Sequence, residues 1–592
     1  MFSKSRFFSL VFFLLLSSLI TGVISPCFAA EPVLNPAPAT SWLPDDVLVA
    51  VELRQADDLI TLVENEELLA FIKTIPNVGD GLADENLVQV KQVVLFLETQ
   101  LETTWQEGLT TLLEGGVHFA VLSNGAVVVI AESSDAQLLE EFHETLRGLV
   151  GLGQQNIESS DYRGVEIWAS AAIAPQAIVG NRLVLSNRLD GLHRVLDLAL
   201  DSESTGTLQD LSSYAEAQAA LPESGQDLTA FVRMDVLTNI PDIQTTLAQA
   251  DSPWASLLLG GIPQAIAQAN WIAASLDLNG LDLTLEIATD GRLDPDSPLA
   301  AFTRSPETGR PEAMPNFETE DMIASASFYR DLHQFYAAKD DLFPERTSEL
   351  IFFENMMGIF FSGRDLTDDV FAELEPEVRL VVAKQSYDEI VGRPESEIPG
   401  FALIFRLKDA DKFSIVMEEA WQKAIGLVNF RSGQDAQPGL IIDRPVQGET
   451  TFTVARYAPV YGAEPSDKLH TRHNFSPVIA MPGDYVILAS CEELARKLID
   501  AAESEITNGT TAHPDYHTLL QLDGALLSET LEANRESMIE KNMIEKGMER
   551  EEAEDEFEGL MLAARVIGDV QIGVSESDET LRLKLTIEPN IP

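Results

Sequence analysis

The sequence predicts an α+β fold made of two tandem homologous halves, each a largely antiparallel sheet covered by helices. Three observations lead there. Six segments recur in the same order roughly 300 residues apart. Their apolar residues alternate with period two and are joined by turn signals, as strands of an antiparallel sheet require. Regular strand–helix–strand alternation is missing, and so is the glycine-rich turn of a dinucleotide-binding fold.

The clearest repeat is "GNRLVLSNRLDGLHRVLD" at Gly180–Asp197 against "GDYVILASCEELARKLID" at Gly483–Asp500. Each reads as a short apolar strand, a polar stop and a helix. Asp190 and the pair Glu492-Glu493 fall where a helix N-terminus favours negative charge. Leu192 and Leu196 match Leu494 and Leu498, four apart, and face a sheet. The other five pairs complete the order. "DDVLVAVELR" at Asp45–Arg54 matches "EDMIASASFYR" at Glu320–Arg330, and "GVHFAVL" from Gly116 matches "EVRLVVA" from Glu377. "AVVVIAESSDAQLLEEF" from Ala126 matches "GFALIFRLKDADKFSIVM" from Gly400, both leading into an Asp-Ala helix start. "AFVRMD" at Ala230–Asp235 matches "TLLQLD" at Thr518–Asp523, and "LDLTLEI" from Leu281 matches "LRLKLTI" from Leu581.

Each half therefore reads as a strand, helices, two strands, a helix, a further strand group with its helix, a strand, a helical excursion and a final hairpin. Asn279-Gly280 marks the first closing turn. One helix-covered face per sheet is expected. The halves span 42–300 and 315–592, with a proline-marked linker at 301–314.

The N-terminus has Lys4 and Arg6, an apolar run from Phe7 to about Ile24, and small residues around "CFAA". This is the pattern of a secretory signal over 1–29, with an uncleaved membrane anchor as the alternative. Residues 30–41 are proline-rich and read as an extended tether. Past the signal no stretch is long enough to span a bilayer. The expected location is outside the cytoplasm, periplasmic or extracellular. Cys491 would be the single cysteine left, so no intramolecular disulfide is expected.

The chain has 39 basic and 96 acidic residues, a net charge of −57, yet is 45% hydrophobic. Such a field repels nucleic acid, and the apolar content argues against a disordered acidic chain. Weak binding of divalent cations is a possible use of the charge, although no compact calcium loop is present.

The copies differ most in their excursions. The first reads "DSPWASLLLGGIPQAIAQA"; the second, "SETLEANRESMIEKNMIEKGMEREEAEDEFEGLMLA", reads as one long charged helix with a Met538, Ile539, Met543, Ile544, Met548 stripe. That stripe is either a buried face or a partner contact. "LIFFENMMGIFFSGRD", Leu350–Asp365, is the most apolar stretch past the signal, expected either in a core or lining an apolar groove.

Reactive groups are sparse. His513, Asp515 and His517 are the candidate metal ligands, since histidines four apart share a helical face. Pro514 follows the first, and the glutamate of an HExxH motif is missing. His470 and His473 in "HTRH" read as loop residues, and Asn508 in "NGT" as a turn. No nucleophile elbow, Walker loop or paired CxxC occurs, so no catalytic residue and no cofactor are expected.

Leu43-Pro44-Asp45 and the Gly180–Ser186 strand resemble elements of a family of exported bacterial proteins grouped as a domain of unknown function. Leu-Pro is missing before Glu320, so the resemblance is looser in the second half. It implies bacterial export and supplies no activity or functional residue. The reading that follows is a non-enzymatic exported envelope protein, a binding or scaffold module with a protein partner. Its alternatives are a carrier of an apolar ligand such as a lipid and a metal-dependent hydrolase.

Overall fold

In a computed structural model, the described residues are 38–54, 97–152 except 102, 158–170, 174–201, 205–238, 253–387, 392–458, and 469–590 except 578. The expected signal lies outside them, as does most of the tether. The tether's last residues are folded: Ala39–Trp42 form a buried 3-10 turn, because Trp42 enters the core and draws the chain in with it. The fold is α+β, in two compact units. The first is drawn from residues up to Ile243 with Ala269–Asp290, the second from Gln244–Gln268 with Gly291 onward.

In chain order, the first unit has β1 (Val47–Leu53), α1 (Trp105–Leu113), β2 (Val117–Leu122), β3 (Val127–Glu132), α2 (Ala136–Leu152) and β4 (Glu158–Tyr162). It continues with β5 (Val165–Ala169), β6 (Gln176–Val179), β7 (Arg182–Ser186), α3 (Leu189–Leu200), α4 (Ser212–Ala220), β8 (Leu228–Arg233), β9 (Trp271–Asn279) and β10 (Asp282–Thr289). The sheet order is β10-β9-β8-β1-β2-β3-β7-β6-β5-β4, with every pairing antiparallel.

The second unit opens with α5 (Pro253–Leu259) and α6 (Ile262–Ala267), then α7 (Pro298–Thr303), β11 (Met322–Tyr329), α8 (Leu332–Ala337), α9 (Thr347–Phe360), β12 (Leu374–Ala383) and β13 (Gly400–Leu407). Next come α10 (Ala410–Gln434), β14 (Leu440–Asp443), β15 (Thr453–Tyr457), β16 (Val478–Ala480), β17 (Tyr485–Ala489) and α11 (Glu492–Asn508). β18 (Tyr516–Asp523), α12 (Gly524–Ala533), α13 (Arg535–Lys546), α14 (Arg550–Ile567), β19 (Asp569–Glu576) and β20 (Leu581–Glu588) complete it. Its order, β20-β19-β18-β11-β12-β13-β17-β16-β15-β14, repeats that of the first unit strand for strand and is again antiparallel.

Register carries the repeat further. The β1–β2 pairing slips between Val47 and Val49, and β11–β12 slips between Met322 and Ala324, the corresponding place. That bulge sets Arg54 level with Tyr329, one residue from the Arg54–Arg330 match that sequence suggests. The helix after β3 starts alike in both units: Asp135 Oδ1 accepts from the Leu138 amide, and Asp409 Oδ1 from the Lys412 amide. In α3 the buried positions are Gly191, Leu192, Val195, Leu196 and Ala199. In α11 they are Leu494, Ala495, Leu498, Ile499 and Ala502, the same five in step. Leu192 therefore corresponds to Ala495, again one residue from the sequence match.

Helices cover both faces of each sheet, where one covered face was expected. Val128 and Ile130 face the α3 core, while Val129 and Ala131 face away from it; α2 and α1 build a further core with Leu183 of β7. In the second unit Ile487 and Ala489 meet α11, and Val486 and Leu488 meet α10. The unbroken "VVVIA" of β3 is the sequence trace of this, since only a doubly covered strand omits polar alternation.

Other boundaries also differ. Register pairs Asn279 with Asp282, so Gly280 and Leu281 make the turn, with Gly280 at φ +67°. The segment expected as a linker is packed: Phe302 is buried, Arg304 pairs with Glu576 and Arg310 with Asp515. The excursion expected as one long helix is three. Gly547, left-handed at φ +69°, ends α13 and folds α14 back onto it around Ile539, Phe557 and Met561.

The excursion of the first half packs within the second unit. Arg330, 1% exposed, has no carboxylate partner among the described residues. Its guanidinium donates to the carbonyls of Leu257 (2.6 Å) and Leu258 (2.9 Å) at the C-terminal end of α5. It also donates to the Tyr329 and His517 carbonyls and to Thr518 Oγ1. Backbone oxygens at a helix C-terminus carry partial negative charge, so they stand in for a counter-ion. Burial still pulls the guanidinium down to about 9.

Candidate interaction surface

The metal candidates do not converge. His517 lies in β18, 2% exposed, its Nδ1 2.9 Å from Thr518 Oγ1. Burial, with Arg330 second, holds its imidazole well below the ordinary range and so neutral. His513 is exposed on a two-residue strand paired with Glu312–Ala313. Asp515, left-handed at φ 71°, turns the chain between them and pairs with Arg310 at 3.1 Å. The four-residue spacing grips a metal on a helix, and this segment is extended. Among the described residues no group of three or more His, Cys, Asp or Glu could hold a metal ion.

The remaining singled-out residues serve structure. His470 Nδ1 accepts from the Arg472 amide, and the His473 ring lies against Tyr457. Cys491 is buried at the start of α11, where burial pushes its thiol pKa up. Asn508 ends α11, its amide on Ser504. Met538, Met543 and Met548 pack inside the α13–α14 hairpin, which leaves Ile544 exposed.

The surface tells a different story from the reactive groups. Among the described residues of the first unit, Leu189 is the one large exposed apolar side chain; the rest belong to the second. Two places collect them. On α9, Leu350, Phe353 and Met357 pack inward, while Phe352 (70% exposed) and Ile359 (68%) point out with Ile351 and Met356. The helix is apolar around its whole circumference, a pattern that belongs to fully covered helices. Sequence reasoning placed this run in a core or a groove; it is half core and half uncovered face. The clue was apolar residues at 351, 352, 353, 356, 357, 359 and 360, which leaves no polar side.

The second place joins the end of α10 to β14. Asn429 clamps them with two hydrogen bonds to the Leu440 backbone, 2.6 and 2.9 Å. Around that clamp Leu427, Phe430 (65%) and Ile441 (60%) are exposed. β14 ends the sheet order of its unit. Its counterpart β4, "ESSDY", is polar and exposed, the usual protection for an edge; "LIID" in β14 lacks it.

Among the described residues, two hollows are small, one in each unit. The hollow of the first unit between Leu43, His118, Tyr214 and Phe231 has a volume near 10 Å³, and so has that of the second between Gln385, Tyr387 and Thr530. That is the room of one water molecule, against the hundreds of cubic ångströms a lipid chain needs. Among the described residues no helix is long and apolar enough to cross a membrane.

No protein-family model matches the chain, and no curated protein matches it. Solved structures that match include crystal form I of TP0453, 9% identical over 44% of this chain and 81% of that one, with a TM-score of 0.23. Form III is 9% identical over 45% and 84%, and form IV 8% over 43% and 80%, both at 0.23. Likeness at that level bears on neither fold nor function.

Proposed function

We propose that this protein is a non-enzymatic, exported binding module whose second unit carries the partner surface. The observation that supports it is the uncovered apolar face of α9 together with the α10–β14 patch. Covering a side chain such as Phe352 or Phe430 is worth about 1.5–3 kcal/mol. Contiguous exposed apolar area of this kind marks interaction sites in folded proteins. The N-terminal pattern supports export, and the described residues bring together no reactive set that would favour catalysis over binding.

Photo-crosslinking tests the reading. A benzophenone side chain at Phe352 or Phe430, in the producing cell, is expected to give one discrete protein adduct, and the same group at Leu189 none. Adducts absent from both second-unit positions, or equal at all three, would refute it.

A further inference from the structure

The rim of α9 says which chemistry fits its exposed face. The elements packed against this helix are rich in exposed acids: Asp340 and Asp341 on the helical turn Lys339–Leu342, Glu345 on the turn Pro344–Arg346, and Asp368 and Asp369 on Leu366–Val370. Glu349 adds another on α9 itself. Of the nearby cations, Lys339 pairs with Glu354, Arg346 with Glu349 and Lys423 of α10 with Glu419, while Arg364 donates to the Phe361 carbonyl. The result is an exposed apolar strip from Ile351 to Ile359, about 13 Å long, with exposed acids on the elements packed around it.

We propose that α9 docks an amphipathic segment of a partner protein, apolar on one face with lysines or arginines flanking that face. This rests on the binding-module reading and narrows it to a partner class. Charge complementarity selects that occupant. A second copy would bring acid against acid, on a chain already at −57. An anionic lipid surface is repelled for the same reason.

The test uses the full-length protein and two synthetic fourteen-residue helices with the same leucine face, one flanked by lysines and one by glutamates. The lysine peptide is expected to bind at least about tenfold tighter, and to weaken several-fold between about 50 mM and about 500 mM salt. Phe352→Ser/Ile359→Ser should lower its affinity about tenfold with the acids intact, which separates docking from general attraction to an acidic surface. Asp340→Asn/Asp341→Asn/Asp368→Asn should do the same with the apolar face intact.

Equal binding of both peptides, lost in the Phe352/Ile359 variant, would overturn the charge inference and leave the docking face standing. Lysine-peptide binding indifferent to Phe352 and Ile359 would overturn the α9 site. Light scattering that shows a dimer broken by Phe352→Glu, or phosphatidylcholine vesicles that bind through Phe352, would assign the face to another occupant and overturn the proposal.

Discussion

The two units meet one packing problem with opposite choices. Where the helix after β7 crosses the start of β3, the first unit places Ala126 against Gly191. A side chain on Gly191 would put its Cβ 2.8 Å from the Ala126 methyl and 2.6 Å from Ser186 Oγ. At the same two positions the second unit has Gly400 and Leu494. A Cβ on Gly400 would fall 2.7 Å from Cys491 Sγ and 3.5 Å from Leu494. The small residue sits on the helix in one unit and on the strand in the other. Interiors close-packed to this degree accept such exchanges only in pairs. Away from their cores the units part: the first has the polar edge strand β4, the second uncovered apolar faces.

Arg330 should give the largest single effect. The sequence matches it to Arg54, but Arg54 is exposed and paired with Glu52, while Arg330 is buried among five oxygen acceptors. Arg330→Ala is expected to cost about 3 kcal/mol or more in urea unfolding, because it strands buried carbonyls and opens a void. Arg54→Ala should cost roughly 0–0.5 kcal/mol. Equal costs would mean the two arginines are interchangeable after all.

A smaller effect distinguishes α2 from α10. His143 is buried against Trp168, and burial, then Arg147, lowers its pKa to about 4. The in-step helix starts put Met417, buried in the second unit, at its counterpart. Between pH 6.5 and about 4 the unfolded chain binds a proton at His143 that the folded chain refuses. Stability is therefore present above pH 6.5 and lost as pH falls through that window, by up to about 3 kcal/mol. His143→Met imports the residue of the other unit and should flatten this part of the pH profile; an unchanged slope would contradict the assignment.

The sequence carried the order of elements along the chain well, because period-two runs and turn residues are local signals and each was seen twice. Leu192, Leu196, Leu494 and Leu498 are buried as expected, but the two copies are matched one residue out of step there and at Arg54, and the bulges are missed, since matching letters cannot detect a register slip that costs no apolar position. Gly547 is visible in the sequence, yet a lone glycine inside a charged helical pattern does not by itself say that the helix ends there. Arg330 was hidden for another reason. Its acceptors on α5 lie about 70 residues earlier in the chain, and only folding brings a helix end to a buried guanidinium. The exposed face of α9 was hidden because an all-round apolar helix has the same sequence whether or not something covers it.

The doubled body plan is tested most directly by a mutant cycle at the Ala126–Gly191 contact, read by urea unfolding. Gly191→Leu alone should cost about 2–3 kcal/mol by overpacking, and Ala126→Gly alone about 1 kcal/mol. If the units are equivalent position for position, the double variant made in a Ser186→Ala background, which supplies the counterpart of Ala489, reproduces the arrangement of the second unit and should recover at least half of the Gly191→Leu loss, a coupling well beyond additivity. Strict additivity of the two costs would contradict the equivalence.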